Sequence, residues 1–476
     1  MTCTWFNWRR RDRSKSTVGR KRQLRVQCLE DRTAPATFTV TTTLDMIDEG
    51  DHKLSLREAV IRTNDLTGPD TIVLPVGVIK YYFFQTIDLT DSVTIRGAGA
   101  GKSIVDAQRL NRAFDIRGTA PSSIEVVLQG LTVRNGNITG PGGGILVANA
   151  DLIVRGSIVT GNRASTSGGG IANVDGTGDV TVIRSTVAHN VAGGNGGGIF
   201  LFGTPGVLTI QNSTVRRNLG ASGGGVYATT ATLINSSVND NFASAIGGGI
   251  RAVTAVTLTN STVAGNVAAI GGGLMTGGTA SLTNCTVSGN SSFTSDGGGI
   301  LASTTNLTNC TVSGNSAIGS GGGINAITAT LLNCTVVENS AHTGGGLFHN
   351  PGGTFNVRNT IVALNLVDFT GTGPNLSGDF TSGGHNLIGD GAGGTGFTND
   401  VNGDMVGIAG NPIDPKLGPL ANNGGRTKTH ALLAGSRAID RGDNSILPPT
   451  DQRGFPRKKD GNFDGVKVVD IGAFER

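Results

Sequence analysis

His189, Arg217 and Asp240 are the side chains whose spacing most suggests a binding role. Each immediately precedes an asparagine, namely Asn190, Asn218 and Asn241. If those asparagines mark one register of a repeat, the three side chains stack on neighbouring turns about 4.8 Å apart. An imidazole, a guanidinium and a carboxylate in one row could bind an acidic sugar. Exposed turns also collect charge without any ligand, so solvated turn residues are the plain alternative. The same position elsewhere holds Gly161, Gly265, Gly289 and Gly314, which confines the row to three coils.

Other constellations offer less. Glycoside hydrolysis uses two carboxylates about 5–10 Å apart. Between Gly142 and Asn365 the acids are Asp151, Asp175, Asp179, Asp240, Asp296 and Glu338. They fall at different repeat positions, except Asp240 and Glu338, which are four coils apart and too distant to cooperate. His430, Arg453 and Asp470 could be cast as a catalytic set, but nothing in their spacing brings them together, and structural roles are expected. Asp460, Asn462 and Asp464 alternate oxygen side chains as calcium loops do, yet the later bidentate Glu is missing, so a tight turn is expected. Gly97–Ser103 has the look of a phosphate loop. It fails on spacing between Gly97 and Gly101, and Ser103–Asp106 reads as strand rather than helix. Cys285, Cys310 and Cys334 share one repeat position with Ser213, Ser236, Ser261 and Thr360. A column of small buried residues is expected there, not disulfides or a zinc site. The sequence therefore names no cofactor and no metal.

The elements that must position these groups are set by a repeat. Gly-Gly-Gly followed by an apolar residue begins at Gly142, Gly168, Gly196, Gly223, Gly247, Gly271, Gly297, Gly321 and Gly344. In step with it, short runs such as Ser261-Thr262-Val263 end in Asn162, Asn190, Asn218, Asn241, Asn266, Asn290, Asn315, Asn339 and Asn365. Two markers sharing one period of about 25 residues mean a repeat architecture. Val256 and Leu258 alternate with Thr257 and Thr259, which is strand spacing. Three consecutive glycines would ruin a helix. Each coil should read strand, bend, strand, turn, with glycine at the corners and asparagine stacked in a ladder. The apolar residue after each triplet, such as Ile145 or Ile250, should open an inward-facing strand.

The repeat resembles the paired Gly-Gly-Ala-Ile and Phe-x-x-Asn motifs of polymorphic outer-membrane proteins, with Val in place of Phe, and more broadly the pectin-lyase-like superfamily. That resemblance implies an all-β, right-handed parallel β-helix over residues 71–390. Leu54–Ile61 reads as a helix, with Ser55 and Glu58 at capping-box spacing, Leu54 and Ala59 at staple spacing, and Leu56, Ala59, Val60 and Thr63 on one face. It should cover the open end of the solenoid. Residues 37–70 are similar to the CSLREA domain, with Leu54 in place of Cys. Residues 391–476 contain Asn422-Asn423-Gly424-Gly425-Arg426, Asp451-Gln452-Arg453-Gly454 and Val469-Asp470-Ile471-Gly472-Ala473-Phe474-Glu475. They look like a choice-of-anchor Q domain, a small C-terminal module expected to cap the other end.

Charge is unevenly placed. Residues 1–35 hold ten Lys/Arg and three Asp/Glu, whereas the remaining residues hold 28 and 31. The basic character belongs to a leader, residues 1–36, and the solenoid lacks the basic, aromatic-interleaved face of a nucleic-acid binder. No apolar stretch is long enough for a transmembrane helix. The leader has no apolar signal core, but Leu24–Pro35 resembles the segment that opens many planctomycete surface proteins. No sorting tail follows the C-terminal module. These resemblances imply an extracellular or cell-surface protein of bacterial type. Its expected role is structural, adhesin-like or glycan-binding, with polysaccharide or surface glycans as partners. The alternative is a polysaccharide lyase or glycoside hydrolase.

Overall fold

The computed structural model describes residues 35–476 apart from 121–122, 176, 205 and 446–447. Residues 1–34 of the expected leader, with Cys3 and Cys28, lie outside the described residues. From Thr37 to Val406 the chain winds as a right-handed parallel β-helix. Its coils contribute to three sheets, here A, B and C, of 22, 14 and 10 strands. One coil illustrates the rest. Ile250–Thr259 lies in sheet A, Thr262–Ala264 in sheet B and Val267–Ile270 in sheet C, and Gly271-Gly272-Gly273 turns the corner. The third strand is an addition to the two expected. Equivalent residues pair in register with the next coil: Leu258 with Leu282, Val263 with Val287, Ala268 with Ser292.

Alternation fixes which side chains enter the core. Val256 and Leu258 are buried and Thr257 is exposed. Ile145, Ile171, Ile199, Val226, Ile250, Ile300 and Ile324 are fully buried after their glycine corners. The two sequence markers turn out to be one physical device. The first glycine of each triplet is left-handed, as at Gly247 (φ +67°), where an L side chain is strained. The third meets the asparagine: a Cβ on Gly249 would lie 2.6 Å from Gly273 O and 2.9 Å from Asn266 Nδ2. Only hydrogen fits between corner and ladder.

The ladder itself is continuous. Asn266 Oδ1 accepts from the backbone N–H of Asn241 (3.0 Å) and from Asn241 Nδ2 (2.9 Å). Its own Nδ2 donates to Val238 O and to Asn290 Oδ1, both at 2.9 Å. The same pattern runs from Asn162 to Asn365 and ends on Asn375. Buried polar groups at a bend are thereby paired, as burial demands. Cys285, Cys310 and Cys334 occupy the expected small-residue column, fully buried and free. Cys310 Sγ accepts from Cys285 N at 3.4 Å where Ser261 Oγ accepts from Ser236 N at 3.1 Å. Burial pushes the Cys310 thiol up, away from thiolate chemistry.

At the N-terminal end the helix Leu56–Asn64 starts on Ser55 with a complete capping box. Leu56, Ala59, Val60 and Thr63 are buried against the first coil. Arg57 pairs with the buried Asp45 at 2.9 Å and ties the helix down. At the other end the expectation needs correction. Parallel pairing continues beyond residue 390, with Gly394–Thr395 on Gly378–Asp379 and Met405–Val406 on Leu387–Ile388. Residues after 413 do not cover the end of the stack. They turn back and lie along the outer face of sheet B. Leu432, Ala438, Ile439, Ile471 and Phe474 form a second apolar cluster with Val337, Ile361, Ala363 and Leu387. The reason is visible in the sheet: its outward positions change from Thr311, Ser313 and Thr335 to Val337, Ile361 and Ala363, and apolar side chains there require a cover.

Candidate functional site

The row of His189, Arg217 and Asp240 is built as the register argument requires. All three are left-handed, with φ of 55°, 52° and 55°, in the turn between sheets B and C. The turn occurs in every coil, and glycine is its low-strain occupant. A non-glycine residue there costs roughly 1–2 kcal/mol. His189, Arg217 and Asp240 are all exposed. Arg217 Nε lies 3.9 Å from Asp240 Oδ2, a loose pair with both side chains more than half exposed. Asp240 folds over Gly265 of the next coil, where a Cβ would come within 2.6 Å of Oδ1.

Asp240 is also part of something larger. A groove of about 470 Å³ runs between sheet B and the C-terminal module. Its floor includes Asn239, Asp240, Thr262, Gly265, Thr286 and Ser288, and its wall is Asn422 and Gly425–Lys428. A second hollow of about 360 Å³ continues the floor to Thr214 and Ser237 and shares Arg426. Strand alternation explains the floor: Thr214, Ser237, Thr262 and Thr286 pair in register and all point outward. Ser237 Oγ donates to Thr214 Oγ1 at 3.2 Å. Asn239 Oδ1 is buried without a hydrogen-bond partner, so one floor amide keeps an unused acceptor. Arg216 points outward two residues along from Thr214, in register with Asn239.

Sequence reasoning found Arg217 and Asp240 but not Arg216, Arg426 or Lys428. Arg216 was legible as an outward strand position. Arg426 and Lys428 were not, because they reach the site from 140 residues and more along the chain. His189 stands two coils from Asp240 and does not line either hollow. Arg426 and Lys428 are the two cations that line the hollows, against the single carboxylate Asp240, a local excess of one positive charge; Arg216 and Arg217 are exposed on the adjoining coil but line neither hollow.

The other candidates are dispersed. His430 is buried, with Nε2 2.8 Å from Ser313 Oγ and Nδ1 2.8 Å from Gly418 O. Arg453 pairs with Asp451 at 2.7 Å and lies 3.6 Å over the Phe474 ring. Asp470 accepts from the backbone N–H of Asp440 and Arg476. These three hold the module together and face no common space. In the Asp460–Asp464 turn the oxygens accept from its own backbone: Asp460 from Asp464 N and Gly465 N, Asp464 from Val466 N. Among the described residues no group of three or more acidic, His or Cys side chains is placed to hold a metal ion.

No helix among the described residues is long and apolar enough to cross a membrane. No protein-family model matches the chain, and no curated protein matches it. Three solved structures are similar in outline. Pectate lyase Pel9A shares 14% identity at a TM-score of 0.41, over 93% of this chain and 97% of that one. The catalytic unit of a thermostable GH87 α-1,3-glucanase from Streptomyces thermodiastaticus strain HF3-3 shares 14% at 0.41, over 76% and 69%. The A-module of Azotobacter vinelandii mannuronan C-5 epimerase AlgE6 shares 13% at 0.25, over 74% and 93%. Likeness this distant carries neither an activity nor a substrate to this chain; the β-helix itself rests on its own register and burial.

Proposed function

We propose that this is an exported β-helix protein of the cell surface or extracellular space, with a structural or adhesin-like role, that binds acidic polysaccharide in the groove on sheet B. The observation that carries the reading is the groove's chemistry. Rows of hydroxyl and amide groups suit sugar hydroxyls, and the lining cations Arg426 and Lys428, with Arg216 and Arg217 exposed on the adjoining coil, suit a uronate or other acidic sugar. Arginine offers carboxylates a planar donor fork, which makes Arg426, the arginine that lines both hollows, the strongest contributor. Binding is favoured over hydrolysis because Asp240 is the one carboxylate among the lining residues, and two-carboxylate chemistry needs a pair. The CSLREA-like and choice-of-anchor-like segments support export and surface display.

The test is a panel of acidic and neutral polysaccharides presented to the full chain, with binding and chain cleavage followed together. Acidic polymers should bind without being cut, and R426A/K428A should weaken them at least tenfold. Failure of every acidic polymer to bind sinks the reading, and depolymerisation of any of them would put the enzyme in its place.

A further inference from the structure

The groove is open along the rod in one direction and blocked in the other. The outward column of sheet B runs Ile158, Thr186, Thr214, Ser237, Thr262, Thr286, Thr311, Thr335 and Ile361 in register. The first five are partly exposed. The next three are at most 2% exposed, and Ile361 is fully buried. The change occurs within one coil, where Gln452 and the backbone of Thr427–Lys428 cover the sheet. Gln452 of the C-terminal module is buried between Thr286 and Thr311. Its Nε2 donates to Thr286 Oγ1 (3.0 Å) and Thr427 Oγ1 (2.8 Å), and its Oε1 accepts from Thr311 Oγ1 (2.6 Å). Thr286 Oγ1 also donates to Lys428 O at 2.6 Å, and Thr427 Oγ1 donates to Asn284 O at 3.0 Å. The side-chain polar groups of Gln452, Thr286, Thr311 and Thr427 are thus engaged with one another or with backbone carbonyls, and the buried sheet beneath them leaves no path for a sugar. The cations Arg426 and Lys428 stand directly in front of the wall.

We infer that the groove binds the terminus of an acidic polysaccharide, not its interior. An internal segment would have to continue past Thr286, where Gln452 and the backbone of Thr427–Lys428 occupy the sheet. A chain end can enter from the open coils, lie along Thr186, Thr214, Ser237 and Thr262, and stop at the wall with its last acidic group against Arg426 and Lys428. Four coil steps separate Thr186 from Thr286, so the usable length is about 19 Å at ~4.8 Å per step. That accommodates roughly four sugar residues at about one per coil. The inference rests on the proposed binding of acidic polysaccharide and adds which part of the polymer is recognised.

The experiment is calorimetric titration of the full chain with size-graded oligomers of galacturonic acid, two to twelve residues long. Each length is used unmodified, with the reducing terminus converted to the open-chain alditol, and with the non-reducing terminus blocked. The expected result is an affinity per mole of chains that rises up to about four residues and then stays level. Modification of one terminus should cost at least tenfold, and modification of the other should cost nothing beyond four residues. Affinity that keeps rising in proportion to length, with both modified sets binding as well as the unmodified one, overturns the inference while leaving groove binding intact. Absence of binding at every length removes the groove reading itself, and this one with it. T214W, placed on the open floor away from the wall, should lower the affinity of tetramers and longer chains to that of dimers. Unchanged tetramer binding in that variant would likewise overturn the inference.

Discussion

Replacing Asn266 by Ala removes one rung of the asparagine ladder at the middle of the rod. The loss can be worked from its four contacts. Two donors are stranded in the neighbouring coil: the backbone N–H of Asn241 and one hydrogen of its Nδ2. Asn241 Nδ2 keeps its other bond, to Val215 O, and Asn290 Oδ1 keeps the backbone N–H of Asn266 as a donor. Each stranded buried donor costs about 1–3 kcal/mol. The amide also leaves a small cavity against Gly249, which adds to the loss. A total of about 3–5 kcal/mol follows for N266A, in the upper range for single substitutions. Urea unfolding followed by far-ultraviolet circular dichroism would measure it as a fall in midpoint at constant slope. Amide exchange at Asn241 should accelerate with it. T257A, on the exposed side of the same coil, should change stability by no more than about 0.5 kcal/mol. A loss below about 1 kcal/mol for N266A would refute the idea that the ladder supports the stack.

Three further outcomes are expected. C310S should alter stability by less than about 1 kcal/mol, because Ser261 and Ser236 make the same bond two and three coils away; an unfolding titration checks it. R217G should raise stability by about 1 kcal/mol, through relief of a left-handed non-glycine residue, while weakening acidic-glycan binding; the two readouts must move in opposite directions. Burial, then the neighbouring Asp470, pushes Glu475 up to about 7, and burial pushes Asp470 up to about 6. Folded values above unfolded ones mean that this contribution is complete below about pH 4 and is lost as pH rises through 6 to 7. The C-terminal module should therefore melt at lower temperature at pH 8 than at pH 5, and E475Q should flatten that slope. A melting temperature that rises over the same interval would exclude the assignment.

Much of the candidate site was legible because register is legible. Arg217 and Asp240 are neighbours in space since each sits one residue before a ladder asparagine. Arg216 follows from strand alternation by the same logic. Arg426, Lys428 and Gln452 carry no such mark. They belong to a segment without period, and its antiparallel bridges, such as Leu417 with Leu432 and Ala421 with Thr429, are single and irregular. The seat of that segment was hinted at only by Val337, Ile361 and Ala363, which follow the hydroxylic Thr311, Ser313 and Thr335 at outward positions.

By itself the sequence determined the rod: its period, its inward and outward faces, its glycine corners, its asparagine seam and its capped first turn. A solenoid repeats one local solution, so each coil meets its neighbour at a fixed offset of about 25 residues, and the pattern in the letters is the pattern in space. Tertiary structure alone decided where the C-terminal module sits. Thr286 meets Lys428 across 142 residues, Arg457 meets Asn309 across 148 and Gln452 meets Thr286 across 166. Those contacts depend on the shape and polarity of two finished surfaces, which no periodic signal encodes, and they make an open sheet into a groove with an end.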